Sequence, residues 1–366
     1  MHQDLRTAVL CGIGTCLPPH VLTNTDVTRL GGLDTTDAWI RTRTGISRRH
    51  RAGAGTSTGD LAVAAGRAAL DSADAGRADL LLLATTTPDR PCPGTAPEVA
   101  HRLGLGPVPA FDLAAVCSGF VYGVAVAGAM VTAGLCARPL VVGAETYSAV
   151  IDPTDRDTAV LFGDGAGAVL LRGGERAEPG AVAAVELGAD GAGCDLIAIA
   201  AGGSRLPGTT PRLSRESRYF RMRGREVYGH AVRRMTESSL AVLDRAGWPP
   251  GSVEAFIGHQ ANQRILDAVA DRVGIAPRHR HGNIGEVGNT AAASLPLALA
   301  HAAARHAVRP GARTLLTAFG GGLTWGSVAL TWPAAEPRSQ APARRDSPAP
   351  RPSSPAWTGM HRHGPA

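Results

Sequence analysis

Short apolar runs recur along the chain, each stopped by Gly, Thr or Pro and followed by a longer segment rich in Ala. That rhythm predicts strands buried on both faces, separated by packed helices. Residues 7–14 alternate into a short strand, and 79–86 (DLLLLATT) form an unbroken apolar one. Helices are predicted over 59–73 and 97–103, a buried strand over 138–144, and a hairpin with a Gly-rich bend over 160–172 (VLFGDGAGAVLLR). Thr25 and Asp26 are placed to cap a short helix, and 34–50 (DTTDAWIRTRTGISRRH) read as a helix start with a basic exit loop. Over 111–135 the run from Phe111 to Val116 delivers Cys117 to the head of an apolar segment of Ala, Gly and Val, a pattern of strand, tight turn and buried helix.

The second half repeats this order. Residues 252–274 (SVEAFIGHQANQRILDAVADRVG) answer 78–104, residues 288–304 stand where the Cys117 helix stood, and 310–332 answer the strands at 138–144 and 160–172. Matching αβ halves imply gene duplication and an α/β fold with a duplicated αβαβα five-layer core and pseudo-twofold symmetry. The halves are expected over 1–175 and 176–333. Ligands in such sheets bind outside the carboxyl ends of the strands. Cys117, His259 and Asn289 are therefore expected at one centre. Beyond residue 333 the composition turns to Pro, Arg, Ser and Ala, so 334–366 are expected to form a disordered tail.

At 366 residues the chain is long enough for two lobes. Its net charge is +6, and all 37 basic residues are arginine, a choice that fits a GC-rich genome as well as any function. With 4% aromatics and no interleaving of Arg with aromatic residues, nucleic-acid binding is not indicated. A basic surface suits an acidic protein or a phosphorylated ligand. Six scattered cysteines without a CxxC pair point to a reducing cytosol. The N-terminus carries charges where a signal peptide needs apolar residues, and no uninterrupted apolar run reaches about 18 residues. A cytoplasmic, soluble protein without membrane attachment is expected.

The candidate chemistry has plain alternatives. A thiol at a helix N-terminus is favoured as thiolate by the dipole, yet free cysteines are also ordinary core residues. His259 in AFIGHQAN could be a satisfied core residue, and Asn289 could simply cap the helix that follows it. GDGAG at 163–167 lacks the spacing of a nucleotide loop. His279, His281, His361 and His363 have no further ligands at useful spacing, so no metal site is expected. The arginines Arg218, Arg221, Arg223, Arg225, Arg233 and Arg234 could form a solvated face or a docking patch.

Taken in order, AAVCSGF, GHQANQRI, VGNTAAAS and AFGGGLTWGS, with WIRTRTGI, DPTDR at 152–156 and FGDGAGA at 162–168, resemble the β-ketoacyl-acyl-carrier-protein synthase III family of the thiolase superfamily. The likeness spans about residues 5–333. It implies a thiolase-like fold in which Cys117 is acylated and His259 and Asn289 complete a triad. It further implies an oxyanion hole from the backbone N–H groups of Cys117 and Gly321. Asn262 and Arg264 would line the pantetheine tunnel, Trp39 and Arg156 would sandwich the adenine of coenzyme A, and Thr35 and Arg43 would meet its nucleotide end. Arg221, Arg223, Arg225 and Arg264 would dock the acidic carrier protein. No cofactor is implied beyond the coenzyme A thioester as substrate and the phosphopantetheine of the carrier.

The implied reaction loads an acyl group from acyl-CoA onto Cys117 and condenses it decarboxylatively with a malonyl carrier protein, within a homodimer. Cys92 and Val287 stand where relatives carry larger residues around the acyl pocket. Those changes suggest a primer other than acetyl and an actinobacterial enzyme that starts a polyketide or specialised fatty-acid chain. Two other readings stand beside this one. The same fold could move an acyl group without condensation, or the chain could be a silent partner subunit that only binds the carrier.

Overall fold

The computed structural model describes residues 6–342. The chain opens with β1 (Arg6–Cys16), β2 (His20–Thr23), α1 (Asn24–Gly31), α2 (Asp37–Thr44) and β3 (Arg48–Arg51). The cap of α1 is Thr23, two residues before the expected Thr25, because its side chain and that of Asp26 exchange hydrogen bonds with each other's backbone N–H. Residues 48–51 are no exit loop. They pair antiparallel with β2, giving backbone partners to both.

The first half continues with α3 (Thr58–Ser72), β4 (Leu80–Ala84), α4 (Ala96–Arg102), β5 (Ala110–Leu113), α5 (Gly119–Thr132), β6 (Pro139–Glu145), α6 (Arg156–Ala159) and β7 (Gly165–Glu175). The expected hairpin over 160–172 is absent. β7 is one strand of 11 residues lying antiparallel to β1 and β6, and 160–164 only lead into it. The bend in the sequence marks the entry to the strand rather than its reversal.

The second half holds β8 (Val182–Ala189), β9 (Ile197–Ala198), β10 (Arg221–Met222), α7 (Gly224–Ala246), β11 (Ala255–Gly258), α8 (Gln263–Val273), α9 (Ile284–Val287), α10 (Ser294–Ala304), β12 (Arg313–Gly320), β13 (Thr324–Thr331) and β14 (Arg338–Ser339). One sheet runs β14-β1-β7-β6-β4-β5 and the other β11-β12-β13-β8. Taken from β1 and from β8, the orders β1-β7-β6-β4 and β8-β13-β12-β11 match, and a single bridge from Phe256 to Arg280 stands where β5 stands in the first sheet.

The layers follow from the two faces of each strand. In β4, Leu80 and Leu82 join a core with Phe120 and Val124 of α5, Leu295 and Leu299 of α10, and Ile257 and Leu316 of the second sheet. Leu81 and Leu83 face the other way, onto α3 and α4 through Leu61, Ala65 and Val99. On the far side Met235 of α7 and Val269 of α8 cover Phe256 and Leu315. Helix, sheet, helix, sheet and helix give the five layers of a thiolase-like α/β fold.

The tail does not begin where composition changes. Arg338 pairs beside Gly14, the Gln340 N–H donates to the Thr15 carbonyl, and the Ser72 hydroxyl donates to the Glu336 carbonyl. The outer edge of β1 offers backbone groups that this short strand satisfies despite its polar sequence. The rest of the expected disordered segment, with His361 and His363, lies outside the described residues. Among the described residues no helix is long and apolar enough to cross a membrane.

Candidate active site

After β5 a single 3-10 turn, Val116–Ser118, lifts Cys117 to the foot of α5. Val116 enters this turn at φ +46°, a left-handed conformation that is costly for a β-branched residue and marks a constrained elbow. His259 follows β11, and Asn289 follows α9 through Gly288. Cys117, His259 and Asn289 line one cavity of about 420 Å³, mouth included, with Phe319 and Gly320 from the end of β12.

The neighbours of His259 and Asn289 decide which atoms face that cavity. His259 is 2% exposed, and its Nδ1 lies 3.0 Å from Ser294 Oγ. The same Oγ accepts the Gln260 N–H at 2.7 Å, which leaves its own hydrogen able to donate to Nδ1; that arrangement assigns the ring proton to Nε2. Burial lowers the His259 pKa to about 3, which keeps the ring neutral. Asn289 Oδ1 accepts the Ala291 N–H at 2.9 Å, leaving its NH₂ for the cavity. Asn289 thus caps a turn and faces the cavity at once.

Cys117 departs from expectation. Burial, then the negative charge of Glu145, push its thiol up, and the backbone N–H at the elbow lowers it by less. The helix proper starts only at Gly119, so the sulfur sits in a closed apolar place with a buried acid nearby. The resting pair is a neutral thiol and a neutral imidazole.

At the end of β12, Gly320 comes so close to the elbow that a Cβ would lie 2.8 Å from Cys117 N and 3.1 Å from Ser118 N. No side chain fits there, and the space over those N–H groups stays open. Gly321, the residue expected to share the oxyanion hole, follows with Ile197 against it.

On the rim, Trp39 of α2 is 40% exposed, and the Arg156 guanidinium lies 5.1 Å over its ring. The two touch each other, closer than the roughly 7 Å that an inserted ring requires for two carbon contacts. Thr35 Oγ1 is buried without a hydrogen-bond partner. Asn262 caps α8 by accepting the Arg264 N–H at 2.9 Å and donates to the Arg43 carbonyl at 3.1 Å, joining α2 to α8. Arg264 is exposed and stacks over Tyr228 of α7 at 5.9 Å.

Three expected site residues sit elsewhere. Arg221 pairs with Asp155 at 2.7 Å and Asp152 at 3.1 Å, so it ties β10 to the 152–155 turn instead of offering free charge. Arg223 and Arg225 remain exposed. Cys92 is exposed on the Pro-rich loop, and Val287 is 3% exposed beside Gly163; within this chain neither lines the cavity. Arg234 belongs to another face, stacked on Trp325 at 4.5 Å.

Several residues of the site were given no role by the sequence. Tyr147 and Phe162 stack at 4.6 Å, and Phe220 meets both edge-on at 5.4 and 5.0 Å, bracing one wall. Ser294 closes the VGNTAAAS motif and was available as a signal. Glu145, at the end of β6, is wholly buried and has its pKa raised to about 7 by burial. Among the described residues no cluster of three His, Cys, Asp or Glu side chains could hold a metal ion.

Comparison with known proteins decides the lineage. Residues 111–191 match the description 3-oxoacyl-[acyl-carrier-protein (ACP)] synthase III, and 243–332 match its C-terminal part. The chain is 55% identical over 334 residues to beta-ketoacyl-[acyl-carrier-protein] synthase III 3 of Streptomyces coelicolor, covering 91% of this chain and 99% of that protein. The chain belongs to the 3-oxoacyl-[acyl-carrier-protein] synthase III family. The crystal structure of the synthase III of Pseudomonas aeruginosa PAO1 is similar to it with a TM-score of 0.83 at 50% identity, over 90% of this chain and 100% of that one. The priming β-ketosynthase of the R1128 polyketide biosynthetic pathway is similar with a TM-score of 0.83 at 32% identity, over 90% and 97% of the two chains. Both structures share the layered α/β fold described above.

Proposed function

We propose that this synthase III family member is a condensing acyltransferase that starts fatty-acid or polyketide chains, taking an acyl group from acyl-CoA and joining it to a malonyl carrier protein. The observation that carries this reading is the pair of outward donors. The acceptor sides of His259 and Asn289 are engaged by Ser294 and Ala291, so an N–H from each is left for the cavity that holds Cys117.

In the first step the Cys117 sulfur attacks the acyl-CoA carbonyl. The C–S bond to coenzyme A breaks, and the leaving sulfur ends with the proton of the Cys117 thiol, so thiol and thioester exchange places. Entering and leaving groups are both thiols, which makes the exchange nearly balanced. His259 is too weak a base to hold the proton at neutral pH. The oxyanion formed on the way faces the N–H groups of Cys117 and Gly321.

In the second step the malonyl thioester carbonyl lies against His259 Nε2–H and the Asn289 NH₂. Carbon dioxide leaves, its bonding pair becomes an enolate, and two neutral donors hold the negative oxygen; one such donor is worth about 3 kcal/mol. The enolate carbon attacks the Cys117 acyl carbonyl, and the ketoacyl chain departs on the carrier. The Cys117 thiolate regains its proton from solvent.

Trp39 and Arg156 would part to take the adenine, with Thr35, Arg43, Asn262 and Arg264 along the coenzyme A path. Arg223, Arg225 and Arg264 would meet the acidic carrier. The free edge of β5, where Phe111 is 41% exposed, supports a homodimer, and Cys92 would reach an acyl pocket only across it. We place the enzyme in the cytoplasm.

Intact-mass measurement after exposure to a panel of acyl-CoAs, followed by malonyl carrier protein with carbon dioxide trapping, tests the reading. Cys117→Ala is expected to take no acyl group, while His259→Ala and Asn289→Ala take one and release no carbon dioxide. Acyl transfer without carbon dioxide release by the native enzyme would replace condensation with simple transfer.

A further inference from the structure

The duplication gives Cys117 a counterpart. The turns Val116–Ser118 before α5 and Ala291–Ala293 before α10 have the same length, and each contains a left-handed residue at its first position, Val116 at φ +46° and Ala291 at φ +45°. Ala292 therefore stands in the second half where Cys117 stands in the first. The strand ends beside the two turns are counterparts as well. β6 and β12 occupy equivalent places, each antiparallel to the next strand, and they end at Glu145 and Gly320.

The two strand ends are filled differently. Gly320 leaves the space over the Cys117 N–H empty, as its missing side chain requires. Glu145 brings a carboxyl group to the other turn, where β6 packs so closely that a Cβ at Gly143 would lie 2.3 Å from the Ala292 carbonyl oxygen, and the nearby Ala292 N–H offsets part of the rise in the Glu145 pKa. The same carboxylate accepts the Thr86 N–H at 3.0 and 3.1 Å, the Thr87 hydroxyl at 2.8 Å and the Thr85 hydroxyl at 3.3 Å.

We propose that Glu145 is a positioning residue whose carboxyl group occupies the anion hole of the half that has no nucleophile, and thereby holds the Asn289–Ser294 segment in register with Cys117. Ala292 lies between Asn289 and Ser294, the residue that fixes His259. Tying Ala292 to β6 and to the 85–87 segment sets both donors of the second step at once. The proposal rests on reading His259 and Asn289 as those donors.

A neutral group of the same shape could also hold the segment, so the charge needs its own account. The titratable groups that interact with Glu145 are Cys117 from its elbow and Tyr147 from the turn after β6; His259, in the same cavity as Cys117, is neutral. Burial raises the Cys117 thiol most and the Glu145 charge adds to it, and together they keep the sulfur protonated until a thioester arrives.

The test compares the full-length enzyme with Glu145→Gln, Glu145→Ala and Asn289→Ala. Three quantities are read: acyl loading of Cys117, carbon dioxide release from malonyl carrier, and the pH profile of Cys117 alkylation by iodoacetamide. Glu145→Ala is expected to load acyl groups fully while releasing carbon dioxide about tenfold more slowly, as expected when donors lose alignment. Glu145→Gln keeps an acceptor for Ala292 and Thr86, so release is expected within about threefold of native, with the alkylation midpoint moved to lower pH. Native release by Glu145→Ala beside a crippled Asn289→Ala would overturn the positioning role alone. Native release by Asn289→Ala would instead overturn the reading of the donors. If Glu145→Ala does not fold, Glu145→Leu, which fills the same space without an acceptor, takes its place, and native carbon dioxide release by that variant overturns the proposal.

Discussion

His259 Nδ1 and Ser294 Oγ stand 3.0 Å apart, and the same hydroxyl oxygen accepts the Gln260 N–H. One serine at the foot of α10 therefore sets the tautomer of a histidine at the end of β11. Ser294→Ala leaves the Gln260 N–H without a partner in a buried place, a loss of about 1–3 kcal/mol in stability. It also frees the ring to place its proton on Nδ1, away from the cavity. Acyl loading of Cys117 is expected to persist while carbon dioxide release falls by about tenfold, since one enolate donor is lost for much of the time. Stopped-flow loading and trapped carbon dioxide separate the two.

The buried titratable groups give opposite pH signatures. The folded His259 pKa, about 3, lies below the ordinary value of 6.5, so its contribution to stability is present above about pH 6.5 and is lost as pH falls toward 3. Glu145 is raised from 4.5 to about 7, so its contribution is greatest below pH 4.5 and is lost as pH rises through 7. At 1.36 kcal/mol per pH unit, the Glu145 part amounts to roughly 3 kcal/mol between about pH 4.5 and 7. Urea unfolding of native enzyme and Glu145→Gln at about pH 5 and pH 8 is expected to show the native enzyme losing stability relative to the variant at the higher pH. For the same reason carbon dioxide release is expected to show no inflection from His259 near pH 6.5.

The order of strands and helices was legible because buried parallel strands such as Leu80–Ala84 carry continuous apolar runs and both halves use the same run lengths. The meeting of Cys117, His259 and Asn289 was legible because duplicated halves put equivalent strand ends together. What escaped depends on distant partners. Position at a turn before α5 argues for a low thiol pKa, but nothing near Cys117 in the chain reveals how completely the fold buries it, or that a buried carboxyl group at the end of β6 adds to that effect. Arg221 reads as part of a basic run, and only the fold brings Asp152 and Asp155 against it. β14 has no apolar pattern at all and exists because the edge of β1 needs partners.

Trp39 and Arg156 stack on one another at 5.1 Å, on a rim joined to α8 through Asn262. A nucleotide ring entering between them exchanges one cation–π contact for two stacking faces. Trp39→Ala is expected to raise KM for acyl-CoA by about tenfold, equivalent to one stacking contact of roughly 1–3 kcal/mol, with kcat preserved at saturation. Acyl groups offered on a short pantetheine thioester, which has no adenine, are expected to load equally well in native and variant enzyme. Steady-state loading kinetics with both donors checks this.

The carrier patch divides by whether each arginine is already engaged. Arg225 on α7 and Arg264 on α8 are exposed, whereas Arg221 is held by two carboxylates. Reversing charge at Arg225 and Arg264 to Glu is expected to raise KM for malonyl carrier protein and to flatten its dependence on salt, because exposed charges act at a range that ions screen. Coenzyme A loading through Arg264 serves as the internal comparison: Arg225→Glu leaves it unchanged and Arg264→Glu weakens it. Arg221→Ala, by contrast, breaks the pair with Asp155 and leaves Asp152 to Arg215 alone among the arginines, loosening β10, which carries Met222 on the cavity wall. Its effect is expected in thermal stability and in kcat, with the salt dependence of carrier binding unmoved; a loss of salt dependence in Arg221→Ala would place that arginine among the carrier contacts after all.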